Sequence, residues 1–266
     1  MVIEKSLNNM KNNSIYEDLS KNIEKDLAIM LSKITHFIHK DIVEYIVYRN
    51  LEYKNEFISC MDKELEDVFF YEGSDCVFPG YRRAINYETK SQKWKDHINV
   101  KDGTILNGNT IPRHIWAYLV SNKGYSGGKN GMWSKSDLSK FELAHIFGHR
   151  KDEREIDKRF FKDLDETKEP YGLFTSASNT VLIPKGFAKP TDHMQSVKRC
   201  FYKRYLDYYK IKPIGFHIYD ESLIPIWYKD LEWNEPILPE NWKIKVDNLL
   251  DYRKKYLKNK YTGMLK

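Results

Sequence analysis

Two short apolar runs flanking a dense charged stretch limit what the middle of this chain can become. Residues 141–147 place Phe141, Leu143, Ala144, Ile146 and Phe147 around a single histidine, His145. Residues 179–184 open on Asn179 and continue through Thr180, Val181, Leu182, Ile183 and Pro184. Apolar runs this short, bounded by turn formers, suit strands better than helices. Between them, residues 150–170 hold seven basic and eight acidic residues, and their apolar positions Ile156, Phe160, Phe161 and Leu164 recur at near-helical spacing. The pattern predicts two strands closing as a hairpin around a solvated helical excursion, with His145 beside Asn179.

At 266 residues the chain can bury a proper core in one domain or two. Its longest apolar stretches fall well short of the roughly 18 residues of a membrane span. Residues 1–10 are too polar for the apolar run of a secretory leader. Cys60, Cys76 and Cys200 lie far apart and form no paired motif. Neither a disulfide framework nor a thiolate zinc site is expected, and a reducing cytoplasm is the simplest home. Any bound metal should be a hard cation on oxygen and nitrogen ligands.

The net charge of +6 is unevenly spread. From Lys185 to Lys210 seven Lys/Arg face only Asp192 and Asp207, and from Asn241 to Lys266 eight face only Asp247 and Asp251. Such segments suit a polyanion, whose condensed counterions Lys and Arg displace; equally, Lys-rich helix faces are often simply solvated.

Helical spacing of Ile23, Leu27, Leu31, Ile34 and Ile38 predicts a helix over 23–40, and Val43, Ile46, Val47 and Leu51 a second over 41–61. His36 and His39 read as core or surface histidines. Pro112 suits the first turn of a helix over 111–120. Tyr125–Gly131 holds glycines and a lysine without a phosphate-loop pattern and reads as a flexible surface loop. Ser134–Asp137 offers caps for a short helix. A longer helix is expected from Pro190 to about Tyr209, short strands over 216–219 and 223–228, and a basic helix over 246–261.

Hydrolysis of a phosphodiester needs a base to activate water and relief of charge on the phosphoryl oxygens. Histidine, with an ordinary pKa of about 6.5, is a natural base near neutral pH. Ala144-His145-Ile146-Phe147 followed by Asn179-Thr180-Val181-Leu182-Ile183-Pro184-Lys185 resembles the HNH endonuclease family, whose core is a ββα-metal fold. The resemblance covers roughly a quarter of the chain. It implies His145 as general base and Asn179 as organiser of the base and of the loop between strands. The family often places a metal-binding Asp or His before the base, where this chain has Ala144, and a final His or Asn where it has Ala188. Asp192 or His193, in the first turn of a later-starting helix, would then hold Mg2+ or Mn2+.

The resulting expectation is an α+β chain with an HNH-like ββα nuclease core embedded in a mainly helical protein. Residues 1–134 form a helical scaffold, 135–210 the core with its charged insertion, and 211–266 a basic extension. Lys185, Lys189, Arg199 and Lys203 are the candidate contacts to nucleic-acid phosphates. The folded mass around so small a core favours a sequence-recognising, restriction-type endodeoxyribonuclease acting on double-stranded DNA. A palindromic site would be read by a homodimer. The alternative is a non-catalytic DNA-binding or interaction protein retaining a degraded core.

Overall fold

Two helices open the described chain and meet at a turn that leaves helical geometry altogether. The computed structural model describes residues 14–58, 73–82, 98–99, 105–108, 110–148, 161–162, 171–187, 194–211, 217–218 and 220–262. Helix α1 (Ser14–Ile34) buries Ala28 and Leu31. Helix α2 (Lys40–Ile58) starts with Asp41 in its first turn, where a carboxylate complements the helix dipole, and buries Ile42, Val43 and Ile46. The spacing predicts that the first helix continues to Lys40. Instead, the intervening residues are extended and paired on two sides. His36 exchanges backbone bonds with Leu182 (2.9 and 3.1 Å), while the Ile237 N–H donates to the Phe37 carbonyl at 2.7 Å and the His39 N–H to the Ile237 carbonyl at 3.1 Å. Phe37 and Ile38 are both fully buried. A segment with neighbouring side chains buried on opposite sides favours extended backbone, since a helix would turn one of them toward water.

Strands β1 (Tyr81–Arg82), β2 (Ile98–Asn99) and β3 (Ile105–Asn107) form one small sheet, with β3 in the middle, parallel to β1 and antiparallel to β2. Strands β4 (Phe141–His145) and β6 (Thr180–Pro184) pair antiparallel, Leu143 opposite Leu182 and His145 opposite Thr180. Strand β5 (Phe161–Lys162) pairs with β7 (His217–Ile218). The helix expected over the charged insertion falls otherwise outside the described residues. Helices α3 (Arg113–Ser121), α4 (Met132–Lys135), α5 (Gln195–Tyr209) and α6 (Trp242–Thr262) complete the described helices. The strand expected over 223–228 is replaced by two 3-10 turns, Glu221–Leu223 and Ile226–Asp230, the first capped by the Asp220 carboxylate on the Ser222 N–H (2.8 Å). The architecture is mostly helical and β4–β6 is an open two-stranded sheet. This corrects the expected α+β, ββα-metal class, because among the described residues the donor cluster such a core is built around is absent.

Aromatic packing joins these pieces. Phe147, just after β4, lies parallel to Tyr202 of α5 at 4.9 Å and edge-on to Tyr205 at 4.7 Å. A polar knot lies in the same core. The Asp75 carboxylate accepts from the Ser178 N–H at 2.5 Å and from the Ser176 hydroxyl. Ser178 in turn donates to the Tyr205 hydroxyl at 3.0 Å. Thr175 Oγ1 donates to the Phe78 carbonyl at 3.1 Å, and the Val77 N–H donates to the Thr175 carbonyl at 2.9 Å. Burial pushes the Asp75 carboxyl's pKa up, while its Ser176 and Ser178 donors pull it down.

Helix α6 lies along α3. Lys245 donates to the Leu119 carbonyl at 2.9 Å, and Asn248 to the Asn122 side chain at 3.0 Å. Further along, Tyr252 stacks on His114 with centroids 5.0 Å apart. His114 is 6% exposed and its Nδ1 accepts from the Tyr125 N–H at 2.9 Å. Phe78, Tyr125, Tyr252 and Tyr256 rings surround it. Burial lowers its pKa from 6.5 to about 4.

Two outcomes follow from these buried groups. Asp75→Ala leaves the Ser178 N–H and the Ser176 hydroxyl without their acceptor and should cost about 3 kcal/mol in urea unfolding. Asp75→Asn keeps one of the two acceptor oxygens and removes the charge that burial penalises, so it should cost less than Asp75→Ala; equal losses would show that the knot needs both oxygens. His114 has a folded pKa below its unfolded one. Its contribution to stability is therefore complete above pH 6.5 and lost as pH falls toward about 4. Wild type should lose on the order of 3 kcal/mol more than His114→Gln across that window, read from paired denaturation curves; parallel curves would refute it.

Candidate nucleic-acid interface

The hairpin of β4 and β6 brings His145 and Asn179 together. The Ile146 N–H donates to the Asn179 carbonyl at 3.0 Å. Asn179 is fully buried and its amide is committed to the backbone: Oδ1 accepts from the Phe147 N–H at 2.7 Å, and Nδ2 donates to the Phe147 carbonyl at 3.2 Å and the Leu173 carbonyl at 2.9 Å. The side chain thus clamps the turn leaving β4 onto the 3-10 turn Tyr171–Thr175. The half-buried His145 ring stacks on Phe174 at 5.4 Å, and its Nε2 lies 2.9 Å from the Phe174 carbonyl. A carbonyl can only accept, so Nε2 carries a proton in this arrangement.

The expected metal ligands Asp192 and His193 lie outside the described residues, as does Lys189. Among the described residues no group of three or more His, Cys, Asp and Glu could hold a metal ion. Ala144 occupies the usual ligand place and is buried against the sheet. Glu142 is exposed, on the strand parity opposite to His145. The expectation of Mg2+ or Mn2+ at a ββα core is overturned by this missing donor set.

The cations of α5 are engaged within the protein. Lys203 is 2.8 Å from Asp207 and 3.7 Å from Glu221, and the Asp207 hydrogen bond raises its pKa. Arg199 donates to the Leu223 carbonyl and to Gln195. Arg204 lies over the Phe37, Tyr208 and Trp233 rings. Lys185 is exposed in the turn after β6, its N–H donating to the Lys140 carbonyl at 3.0 Å.

A second cationic element escaped the sequence reading because its signal is an absence. Between Asp102 and Asp137 the chain carries no Asp or Glu, against Arg113, Lys123, Lys129 and Lys135. The loop after α3 is also not the loosely tethered segment its glycines suggest. Asn122 ends α3 in the left-handed region, and the Tyr125 N–H is tied to His114. Arg113 lies over the Tyr125 ring (5.4 Å) and the Trp133 ring (5.3 Å), joining both sides of the loop. Across the loop, the Met132 N–H donates to Ser126 Oγ at 2.7 Å, and Ser134 Oγ to the Gly128 carbonyl at 2.9 Å. Gly131 is required, because a Cβ there would lie 2.3 Å from the Ser126 carbonyl oxygen. Lys123, Lys129 and Lys135 project from this frame, exposed, and none has an ion pair among the described residues.

Among the described residues no helix is long and apolar enough to cross a membrane. No family model, no curated protein and no solved structure matches the chain. The resemblance to HNH endonucleases is therefore not upheld. With no matching relative and no metal-binding cluster among the described residues, a hydrolytic, restriction-type nuclease is not supported.

Proposed function

We propose that the protein is a non-catalytic DNA-binding protein whose main phosphate contacts come from the loop between α3 and the 3-10 turn Asp137–Lys140. The observation that carries this reading is the trio Lys123, Lys129 and Lys135: exposed, without carboxylate partners among the described residues, and displayed on a segment held by Arg113, His114 and its own cross-bonds. Ammonium groups already neutralised by neighbouring carboxylates release few counterions from a phosphate backbone, whereas unpaired ones release nearly one each. A frame ordered before binding also spares the entropy of ordering the loop on DNA. Lys203 of α5, paired with Asp207 and Glu221, contributes less for the same reason.

The salt dependence of duplex affinity tests this. Fluorescence anisotropy of a labelled duplex should give a log–log salt slope that falls by about 0.9 for each lysine lost, so Lys123→Gln, Lys129→Gln and Lys135→Gln combined should flatten it by roughly 2 to 3. Lys203→Gln should leave the slope nearly unchanged. The duplex should be recovered intact after incubation with magnesium. A triple variant with the wild-type slope would show that the loop is not the contact surface.

A further inference from the structure

Lys123, Lys129 and Lys135 are exposed on flexible stems, but Arg113, the fourth cation of the acid-free segment, is held in place. It stands half-buried at the first position of α3, its guanidinium 5.4 Å from the centroid of the Tyr125 ring and 5.3 Å from that of Trp133. Those two rings meet edge-on at 5.8 Å, and Trp133 is buried. A guanidinium seated on rings in this way has already lost much of the rotamer freedom that binding a ligand would otherwise remove.

Most of its donors are unspent. Among the described residues the side chain makes one hydrogen bond, from Nη1 to the Tyr125 hydroxyl at 3.2 Å, and no ion pair. None of its nitrogens is a buried atom without a partner, so the remaining N–H groups reach solvent. The Tyr125 hydroxyl accepts from Arg113, and among the described residues its own proton has no acceptor. That hydroxyl lies against the exposed Gly127, where a Cβ would come within 2.9 Å of it, so a residue with a side chain there would push the hydroxyl aside. Two other arginines held over rings differ: Arg49 is engaged by Asp247 and Glu52, and Arg204 has its Nε buried.

A fork of N–H donors beside a hydroxyl donor, in a segment without acids and among exposed lysines, matches the oxygens of a phosphate group. A guanidinium can meet two of those oxygens through parallel N–H···O bonds, which an ammonium does not offer. We infer that Arg113 and the Tyr125 hydroxyl form a phosphate-binding site, which grips one backbone phosphate of the bound DNA while the three lysines supply charge around it. The inference rests on the DNA-binding reading above and adds the contact that sets where on the loop the backbone is held.

Two measurements test it, one of them without DNA. In 1H–15N spectra of wild type, the Arg113 Nε–H signal, identified by its absence from Arg113→Lys, should shift saturably with inorganic phosphate and stay in place with chloride at equal ionic strength. An arginine that only fastens the loop would not respond to phosphate. In anisotropy titrations against a duplex, Arg113→Lys keeps the charge but loses the fork. Its affinity should fall about tenfold at fixed salt, with the log–log salt slope unchanged. Tyr125→Phe keeps the ring beside the guanidinium and should weaken binding about fivefold. No shift with phosphate, or wild-type affinity in Arg113→Lys, would overturn the site, while duplex binding by wild type kept the broader reading intact. A phosphate shift without binding of the duplex would keep the site, with a free phosphate group as its ligand, and overturn the DNA-binding reading instead.

Discussion

The described fold depends on a buried meeting of two loops, residues 74–78 and 173–179. Neither has a regular ladder of its own, so their backbone groups must find partners in each other. They do so through the Asp75 carboxylate and the Thr175 hydroxyl, with the Cys76–Ser176 bridge between them, while the Asn179 amide closes its own loop onto Leu173. The Asn50 amide adds bonds to the Ser74 and Cys76 carbonyls and itself accepts from the buried Arg253 at 2.6 Å. Helices α2 and α6 are thereby tied to the same point as β6. Unpaired polar groups at such depth are costly, so this network holds as a unit or not at all.

That constraint explains the local geometry of the His145 hairpin without any catalytic demand. Asn179 is spent on the Phe147 and Leu173 backbone, and His145 on the Phe174 carbonyl and ring. A polar pair of this type looks the same in sequence whether it serves chemistry or folding. What separates the two is where the polar groups go, and here the Asn179 amide and His145 Nε2 go to backbone.

The basic segments divide in a similar way. On α5, Lys203 and Arg199 are drawn to neighbours on the same helix and on the following turn, and Arg204 lies over rings. The Lys203 ion pair is weak by itself, but it offsets one charge in the field around α5. The loop after α3 lacks acids altogether, so its lysines have no such partner within their own segment. Charge density along a sequence therefore does not by itself give the charge a segment presents, which also depends on the acids that lie beside it in the fold.

Sequence alone determined the elements whose signals are local. The period of Leu27 and Leu31 specifies α1, Pro112 marks the start of α3, and the turn formers around two apolar runs specify β4 and β6. It misplaced the end of α1, since Ile34 and Ile38 match a helical period as well as they match an extended edge. Tertiary structure decided the rest: that Phe37 and Ile38 are buried from both sides, that Asp75 closes onto Ser178 across a hundred residues of chain, and that α6 brings Tyr252 over His114. The reason is physical. Backbone propensity and amphipathic period act over a few residues, whereas the partner of a buried polar group or ring is set by which distant segment arrives to exclude water from it.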